Sequence, residues 1–215
     1  MQLHTVVYLI RHGATEGDDS SSSNRQMRRF RGHKDVLLSE KGKGQIEAAV
    51  KNIEQTVVDY GPPLSINKLY SSDLSRAVMS ASIISRHFRI ESAQVAAFRE
   101  RNFGSWEGLS LEEIQNLYTE DLKNWKQDPS NFAPTGGEST AEVAKRVLPA
   151  FDGILAENAG KVIAIAAHGN VNRIIICHTL GIDFKHMFRI EQDYACINRL
   201  EFNGNKTIVR FINYC

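Results

Sequence analysis

The sequence predicts an α/β fold: a three-layer sandwich with a mostly parallel central sheet, helices on both faces, a small lid insertion and an edge hairpin. Three observations carry this reading. Short apolar runs alternate with stretches of helical period through most of the 215 residues, the pattern of βαβ units. Two of the runs, Val6 to Ile10 and Val162 to Ala167, are continuously apolar, as strands covered on both faces are. Near the end of the chain, two strand-like segments flank Asn203-Gly204-Asn205, a hairpin signal.

The elements follow in order. Thr5 to Ile10 is the first strand. Asp18 to Asn24 is polar and serine-rich and reads as a mobile loop, and the segment after it gathers Arg25, Arg28, Arg29, Arg31 and Lys34. Ser39, with Gly42 and Gln45 behind it, opens a helix to about Asp59. Its apolar positions Ile46, Ala49, Val50, Ile53 and Val57 keep helical spacing, and Gly61-Pro62-Pro63 stops it. Leu69 and Tyr70 form a short second strand, after which Asp73 or Ser72 caps a helix to about His87. Val95 to Phe98 reads as a third strand, and Leu109 to Trp125 as one amphipathic helix. A loop through Pro129, Pro134 and Gly136-Gly137 leads to a helix at Ser139, with Glu142 completing a capping box. Val162 to Ala167 is a strand, Val171 to Leu180 a helix, and Ala195 to Phe202 with Thr207 to Asn213 an edge hairpin. The segment 109–134 interrupts the alternation, as a lid over the strand ends or as an ordinary surface excursion. The length suits a single domain spanning 1–215 rather than two equal ones.

Composition narrows the function classes. The chain is 42% hydrophobic and 24% charged, with a formal net charge of +1. No global field points to nucleic acid or a membrane surface, so any selectivity for anions must be built locally. Cys177, Cys196 and Cys215 are widely spaced, with neither disulfide nor zinc-site spacing. Cys177 lies in an apolar run and reads as core. The N-terminus shows no signal peptide and no apolar stretch spans a bilayer. The expectation is a cytoplasmic protein, monomeric or homodimeric.

Two strands end in a histidine followed by glycine, at Ile10-Arg11-His12-Gly13 and Ala166-Ala167-His168-Gly169. Alone, Arg11-His12-Gly13 equally describes a capped strand end with a hydrogen-bonded histidine. In a parallel sheet, however, all such ends lie on one edge, where α/β folds bind ligands. The strand at Leu69-Tyr70 delivers Arg76 to that edge, and the one ending at Phe98 delivers Glu100. Two guanidiniums can hold a phosphate dianion, with a second imidazole as a further donor. Cations beside His12 keep its ring unprotonated and able to attack. Its other nitrogen must then donate to a backbone carbonyl. A carboxyl such as Glu100 can protonate a leaving oxygen and then take a proton from water.

These residues and their neighbours resemble the histidine phosphatase superfamily, the phosphoglycerate-mutase-like proteins. The likeness runs from Val6 to about Ala195, through Arg11-His12-Gly13-x-Thr15, Arg29-Phe30-x-Gly32 and Asp35-x-x-Leu38-Ser39-x-x-Gly42-x-x-Gln45. It continues in Tyr70-Ser71-Ser72-Asp73-Leu74-x-Arg76-Ala77, Arg99-Glu100-x-x-Phe103-Gly104-x-Trp106-Glu107-Gly108, Gly136-Gly137-Glu138-Ser139 and Ala167-His168-Gly169. The resemblance implies His12 as the phosphorylated nucleophile and Glu100 as the proton donor. Arg11, Arg76, His168 and Gly169 would bind the transferring phosphoryl group of a small phosphorylated metabolite. It implies no metal and no organic cofactor.

Departures from the pattern point to specificity. Asp18 stands where the family often has asparagine, and Asn24 is an alternative in the longer loop that follows. Arg31 replaces a common glutamine or serine beside Arg29. This basic stretch reads as a site for a substrate carboxylate or second phosphate, as a solvated charge run, or, last, as a nucleic-acid patch. Arg101 resembles a mutase position, and Glu107 reads as holding its turn. The phosphatase branch is favoured by the Phe-Gly-x-Trp-Glu-Gly and Gly-Gly-Glu-Ser stretches and by the short span between Glu100 and His168. Asn170 favours a cofactor-dependent phosphoglycerate mutase. A regulatory module with a damaged site is the remaining reading, and the five core residues count against it.

Overall fold

The computed structural model describes residues 4–18, 29–60, 65–204 and 206–215. The serine-rich loop with Asn24, Arg25 and Arg28, the Gly61-Pro62-Pro63 stop and Asn205 lie outside them. The strands are β1 (His4–Arg11), β2 (Lys68–Ser71), β3 (Ser92–Gln94), β4 (Val162–Ala167), β5 (Ile197–Asn203) and β6 (Lys206–Tyr214). They form one sheet in the order β3-β2-β4-β1-β5-β6. Pairing is parallel from β3 to β1, and the β5–β6 hairpin adds on antiparallel. The predicted α/β class, mostly parallel sheet and edge hairpin are all present.

Period-two alternation along β1 builds the three layers. Val6, Tyr8 and Ile10 point to one face, where Ile46, Val50 and Ile53 of α1 (Glu40–Tyr60) and Ala81 and Ile84 of α2 (Ser75–Phe88) cover them. Val7 and Leu9 point to the other face, toward Val143, Val147 and Phe151 of α5 (Thr140–Glu157) and Ile174 of α6 (Gly169–Leu180). Every residue of β4 is buried, as its unbroken apolar run requires. Burying a side chain of this size contributes about 1.5–3 kcal/mol. Ser139 and Glu142 form the predicted reciprocal capping box at α5. A third, smaller cluster gathers Phe103, Trp106, Ile114 and Leu122. Among the described residues no helix is long and apolar enough to cross a membrane.

Three elements differ from expectation. The third strand is Ser92–Gln94, and Ala96–Phe98 is a 3-10 turn. β3 pairs only with β2, which ends at Ser71 opposite Gln94; the Val95 amide makes the last bond to it, to the Ser71 carbonyl at 2.8 Å, and the chain then turns away. Phe98 turns in to the core instead. The expected helix over 109–125 is two, α3 (Leu111–Leu117) and α4 (Thr119–Gln127), parted at Tyr118. The Thr119 hydroxyl donates back to the Gln115 carbonyl there, and both helices still face the Trp106 cluster, so periodicity alone hides the break. Finally, neither Asp73 nor Ser72 is the N-cap of α2, which is Leu74. The first turn is instead bound from a distance. The Asp35 carboxylate accepts from the Ser75 amide at 2.8 Å and from its hydroxyl at 2.6 Å, while Asp73 pairs with Arg99.

The end of β1 is clamped against the start of α1 by two glycines. A Cβ on Gly13 would stand 2.2 Å from the Gly42 carbonyl oxygen, and one on Gly42 2.0 Å from that of Ala14. Both obstacles are backbone and cannot swing away. Gly42→Ala should therefore lower stability by about 1–3 kcal/mol in urea denaturation. Gly44→Ala, two residues on with open space around it, should raise it by about 0.5–1 kcal/mol. Equal effects of the two substitutions would refute the clamp.

Candidate active site

Register brings the two histidines together. β1 and β4 pair as Ile10↔Ala166 and Arg11↔Ala167, and the His12 amide continues the ladder to the Ala167 carbonyl at 3.0 Å. The imidazoles of His12 and His168 then lie with ring centroids 5.2 Å apart. His12 Nδ1 donates to the Gly13 carbonyl at 2.7 Å, which leaves the Nε2 lone pair free. Burial, then Arg76, then Arg11, push the His12 pKa well below its ordinary 6.5, against the opposing pull of the Gly13 carbonyl. Burial and the same two guanidiniums, with His12, lower His168 as well.

The other predicted residues converge on the same strand ends. Arg76, almost wholly buried in the first turn of α2, donates to the carbonyls of Gly32 at 2.6 Å and Lys34 at 3.1 Å. Glu107 holds those carbonyls in place. Its carboxylate accepts from the amides of His33, Lys34 and Phe103, as expected of a turn-holding residue. Gly32 is left-handed there (φ +51), and a Cβ on it would strike Glu107 at 2.0 Å. Arg11 donates to the Gln192 carbonyl and lies under the Tyr194 ring, 4.1 Å from its centroid. Glu100 accepts from the amides of Arg101 at 2.8 Å and Asn170 at 3.3 Å, the latter in the first turn of α6. The Glu100 carbonyl is itself gripped by Arg146 and His33.

These groups open onto a cleft of about 290 Å³ that Arg11, His12, Arg76, Glu100, Gly169 and Asn170 line at its floor. Several buried polar atoms around the floor have no hydrogen-bond partner among the described residues. They are Arg11 Nε, Arg76 Nε, both ring nitrogens of His168 and the Asn170 side-chain oxygen. Such atoms cost about 1–3 kcal/mol each when left unmatched, and the donors among them suit a tetrahedral oxyanion.

The specificity residues divide. Arg29 and Arg31 line the cleft, but each is already paired, Arg29 with Glu113 at 2.7 Å and Arg31 with Asp18 at 3.4 Å. Asp18 stands behind the wall, accepting from Thr15 and Tyr194. Asn24 lies outside the described residues. Arg101 does not reach the cleft. Its buried guanidinium donates to the carbonyls of Glu138 and Phe132 and to the Thr140 hydroxyl, so only its amide serves Glu100. Sequence reasoning missed Tyr194, Phe188 and Arg173, all of which line the cleft. Tyr194 sits in an irregular segment and Phe188 in a short 3-10 helix, Phe184–Arg189, neither with a motif. Arg173 was findable, four residues after Gly169 on the same helical face.

Residues 7–214 match the histidine phosphatase superfamily (branch 1), and the chain belongs to that family. Its relatives include both kinds of enzyme that the strand-end motifs suggest. Phosphoserine phosphatase 1 of Hydrogenobacter thermophilus is 24% identical over 95% of this chain and 90% of its own length. A 2,3-bisphosphoglycerate-dependent phosphoglycerate mutase of Bartonella tribocorum is 29% identical over 94% of this chain and 95% of its own. The chain spans 54% of Bifunctional protein Rv2228c of Mycobacterium tuberculosis, at 28% identity over 97% of its own length. Among solved structures, Bacillus stearothermophilus YhfR superposes with a TM-score of 0.83 at 25% identity, covering 98% of each chain.

The lowered histidines have a consequence for stability. Below pH 6.5 an unfolded imidazole gains a proton that buried His12 and His168 refuse, so the unfolded chain binds more protons and folding weakens as pH falls. Urea midpoints should fall between pH 6.5 and 5.5, and fall less in His168→Gln than in the wild type. An identical pH dependence in the two proteins would show that His168 titrates normally.

Proposed function

We propose that the protein is a phosphomonoesterase that hydrolyses small phosphorylated metabolites through a phosphohistidine on His12. The observation that carries this reading is the set of buried donors on Arg11, Arg76 and His168, unpartnered among the described residues, around one neutral imidazole. A phosphoryl group satisfies those donors and presents phosphorus to His12 Nε2. The P–O ester bond breaks as the P–N bond forms, and the leaving oxygen takes a proton from the Glu100 carboxyl. Glu100, now a carboxylate, takes a proton from water. The resulting hydroxide attacks phosphorus, the P–N bond breaks, and inorganic phosphate departs with His12 restored.

We read 1–215 as one domain with 109–134 as its lid, because Leu111 and Trp125 line the cleft. Such a short cover, of α3 and α4 alone, supports water access and hence hydrolysis. The second reading is a cofactor-dependent phosphoglycerate mutase, favoured by Asn170 in the cleft and by the Bartonella relative.

Wild-type protein should hydrolyse p-nitrophenyl phosphate and form an acid-labile adduct on His12, and His12→Ala should do neither. Glu100→Gln should slow esters with poor leaving groups by about 10²–10⁴-fold and aryl phosphates far less. Equal slowing would remove Glu100 from the role of acid. Rapid isomerisation of 3-phosphoglycerate with catalytic 2,3-bisphosphoglycerate, without phosphate release, would establish the mutase. No turnover in either assay would leave a binding module.

A further inference from the structure

Arg173 is a charge at the active site for which the reaction above has no use. Its side chain lines the cleft and anchors through Nε, which donates to the Ile190 carbonyl at 2.7 Å. That is its only hydrogen bond among the described residues, so the Nη1 and Nη2 end of the fork is uncommitted. Gly169 places this end beside Arg11. A Cβ on Gly169 would stand 3.1 Å from Arg173 Nη1 and 3.6 Å from Arg11 Nε, so the two guanidiniums flank one Cα. The carbonyls of Ile190 and Gln192 hold them side by side.

Holding two like charges together in this way is unfavourable, and an anion bound between or beside them would offset that cost. Burial, and next the Arg11 charge, lower the Arg173 pKa to about 10, while Glu100 and Glu191 act on it only through space. Among the described residues no carboxylate lies at ion-pair distance, in contrast to Arg29 with Glu113 and Arg31 with Asp18. The count of charges is then informative. Arg11 and Arg76 match a phosphoryl dianion. One further positive charge remains, ending in a planar pair of N–H groups, which suits the two oxygens of a carboxylate.

We propose that Arg173 binds a carboxylate carried by the substrate within a few bonds of the phosphoester, and that the enzyme acts on phosphorylated carboxylic acids. This rests on the phosphomonoesterase reading and narrows it. Arg173 sets specificity, whereas Arg29 and Arg31 have their charges met within the protein. Phe188, whose ring centroid lies 5.8 Å from the Arg173 guanidinium carbon, keeps the fork aimed and partly shielded from water, which strengthens its grip on an anion.

The test compares matched esters that differ in the carboxylate: 3-phosphoglycerate against glycerol 3-phosphate, and phosphoserine against phosphoethanolamine. Wild-type kcat/KM should favour the acid of each pair by about tenfold or more. Arg173→Gln should cut that ratio by about tenfold, chiefly by raising KM for the acids. Arg173→Lys, which keeps the charge but not the fork, should cut it less. A wild type indifferent to the carboxylate overturns the proposal. So does an unchanged ratio in Arg173→Gln, or an equal loss on both members of a pair, the signature of a third phosphoryl-binding or purely structural arginine. If Arg173→Gln does not fold, an unchanged ratio in Arg173→Lys overturns it equally. Phosphate release by the wild type from any of the four esters or from p-nitrophenyl phosphate reports separately on the phosphomonoesterase reading, and its absence from all five sinks both.

Discussion

The parallel pairing of β1 with β4 is the constraint from which the site follows. Their common register ends both strands at the same level, so His12 and His168 emerge side by side. Shifting one strand by a residue would send its histidine to the opposite face of the sheet, because side chains alternate. The register is held by burial on both sides: Val6, Tyr8 and Ile10 belong to one apolar layer and Val7 and Leu9 to the other. A slip would also break the close approach of Gly13 to the Gly42 backbone at the strand's end. The same packing that stabilises the domain therefore aims the imidazoles.

Around that pair, rigidity comes from carboxylates and guanidiniums bonded to backbone. Glu107 ties the 32–34 turn that Arg76 grips. The Arg146–Glu138 pair holds the chain on either side of Glu100, with Arg146 donating to the carbonyls of Ala97, Arg99 and Glu100. Each is a charge-assisted bond, stronger than its neutral counterpart, and most are partly or wholly shielded from water. Catalysis by positioning needs such support, because a displacement of about 1 Å can cost about 10²-fold in rate.

What was legible in the sequence, and what was not, divides by range. Val6–Ile10, Val162–Ala167 and the Ser139–Glu142 capping box announced themselves because their stabilisation is local or fully apolar. The binding of the first turn of α2 by Asp35, 40 residues earlier, leaves no local trace. The end of β3 is decided by where β2 stops, and the break at Tyr118 by packing around Trp106. In the site, strand-end motifs revealed Arg11, His12, Arg76, Glu100 and His168 as neighbours. Tyr194 was invisible because it reaches Arg11 and His12 only through tertiary folding of the segment before β5. Arg101 misled because the residue beside a functional carboxylate need not share its direction. Its guanidinium fastens the turn at Phe132 and Glu138 instead.

The distribution of charge ties these strands together. The chain is nearly neutral overall, at +1, yet the cleft floor concentrates Arg11, Arg76 and Arg173 against Glu100. At the wall, Asp18 and Glu113 cancel Arg31 and Arg29. Cancelling charge there while leaving it on the floor focuses the positive potential onto the volume beside His12. The same field has two effects. It favours anions in the cleft, and, added to the larger effect of burial, it denies His12 and His168 their protons, so that in the proposed mechanism the imidazole is neutral before substrate arrives. A bare imidazole in water would need a pH above its own pKa to reach that state. Here burial and two guanidiniums secure it, and binding an anion then weakens the restraint by neutralising those guanidiniums. In the proposed mechanism, the positive charge that His12 would acquire on phosphorylation is tolerated only with the phosphoryl group in place, which would couple the proton state of the nucleophile to occupancy of the site.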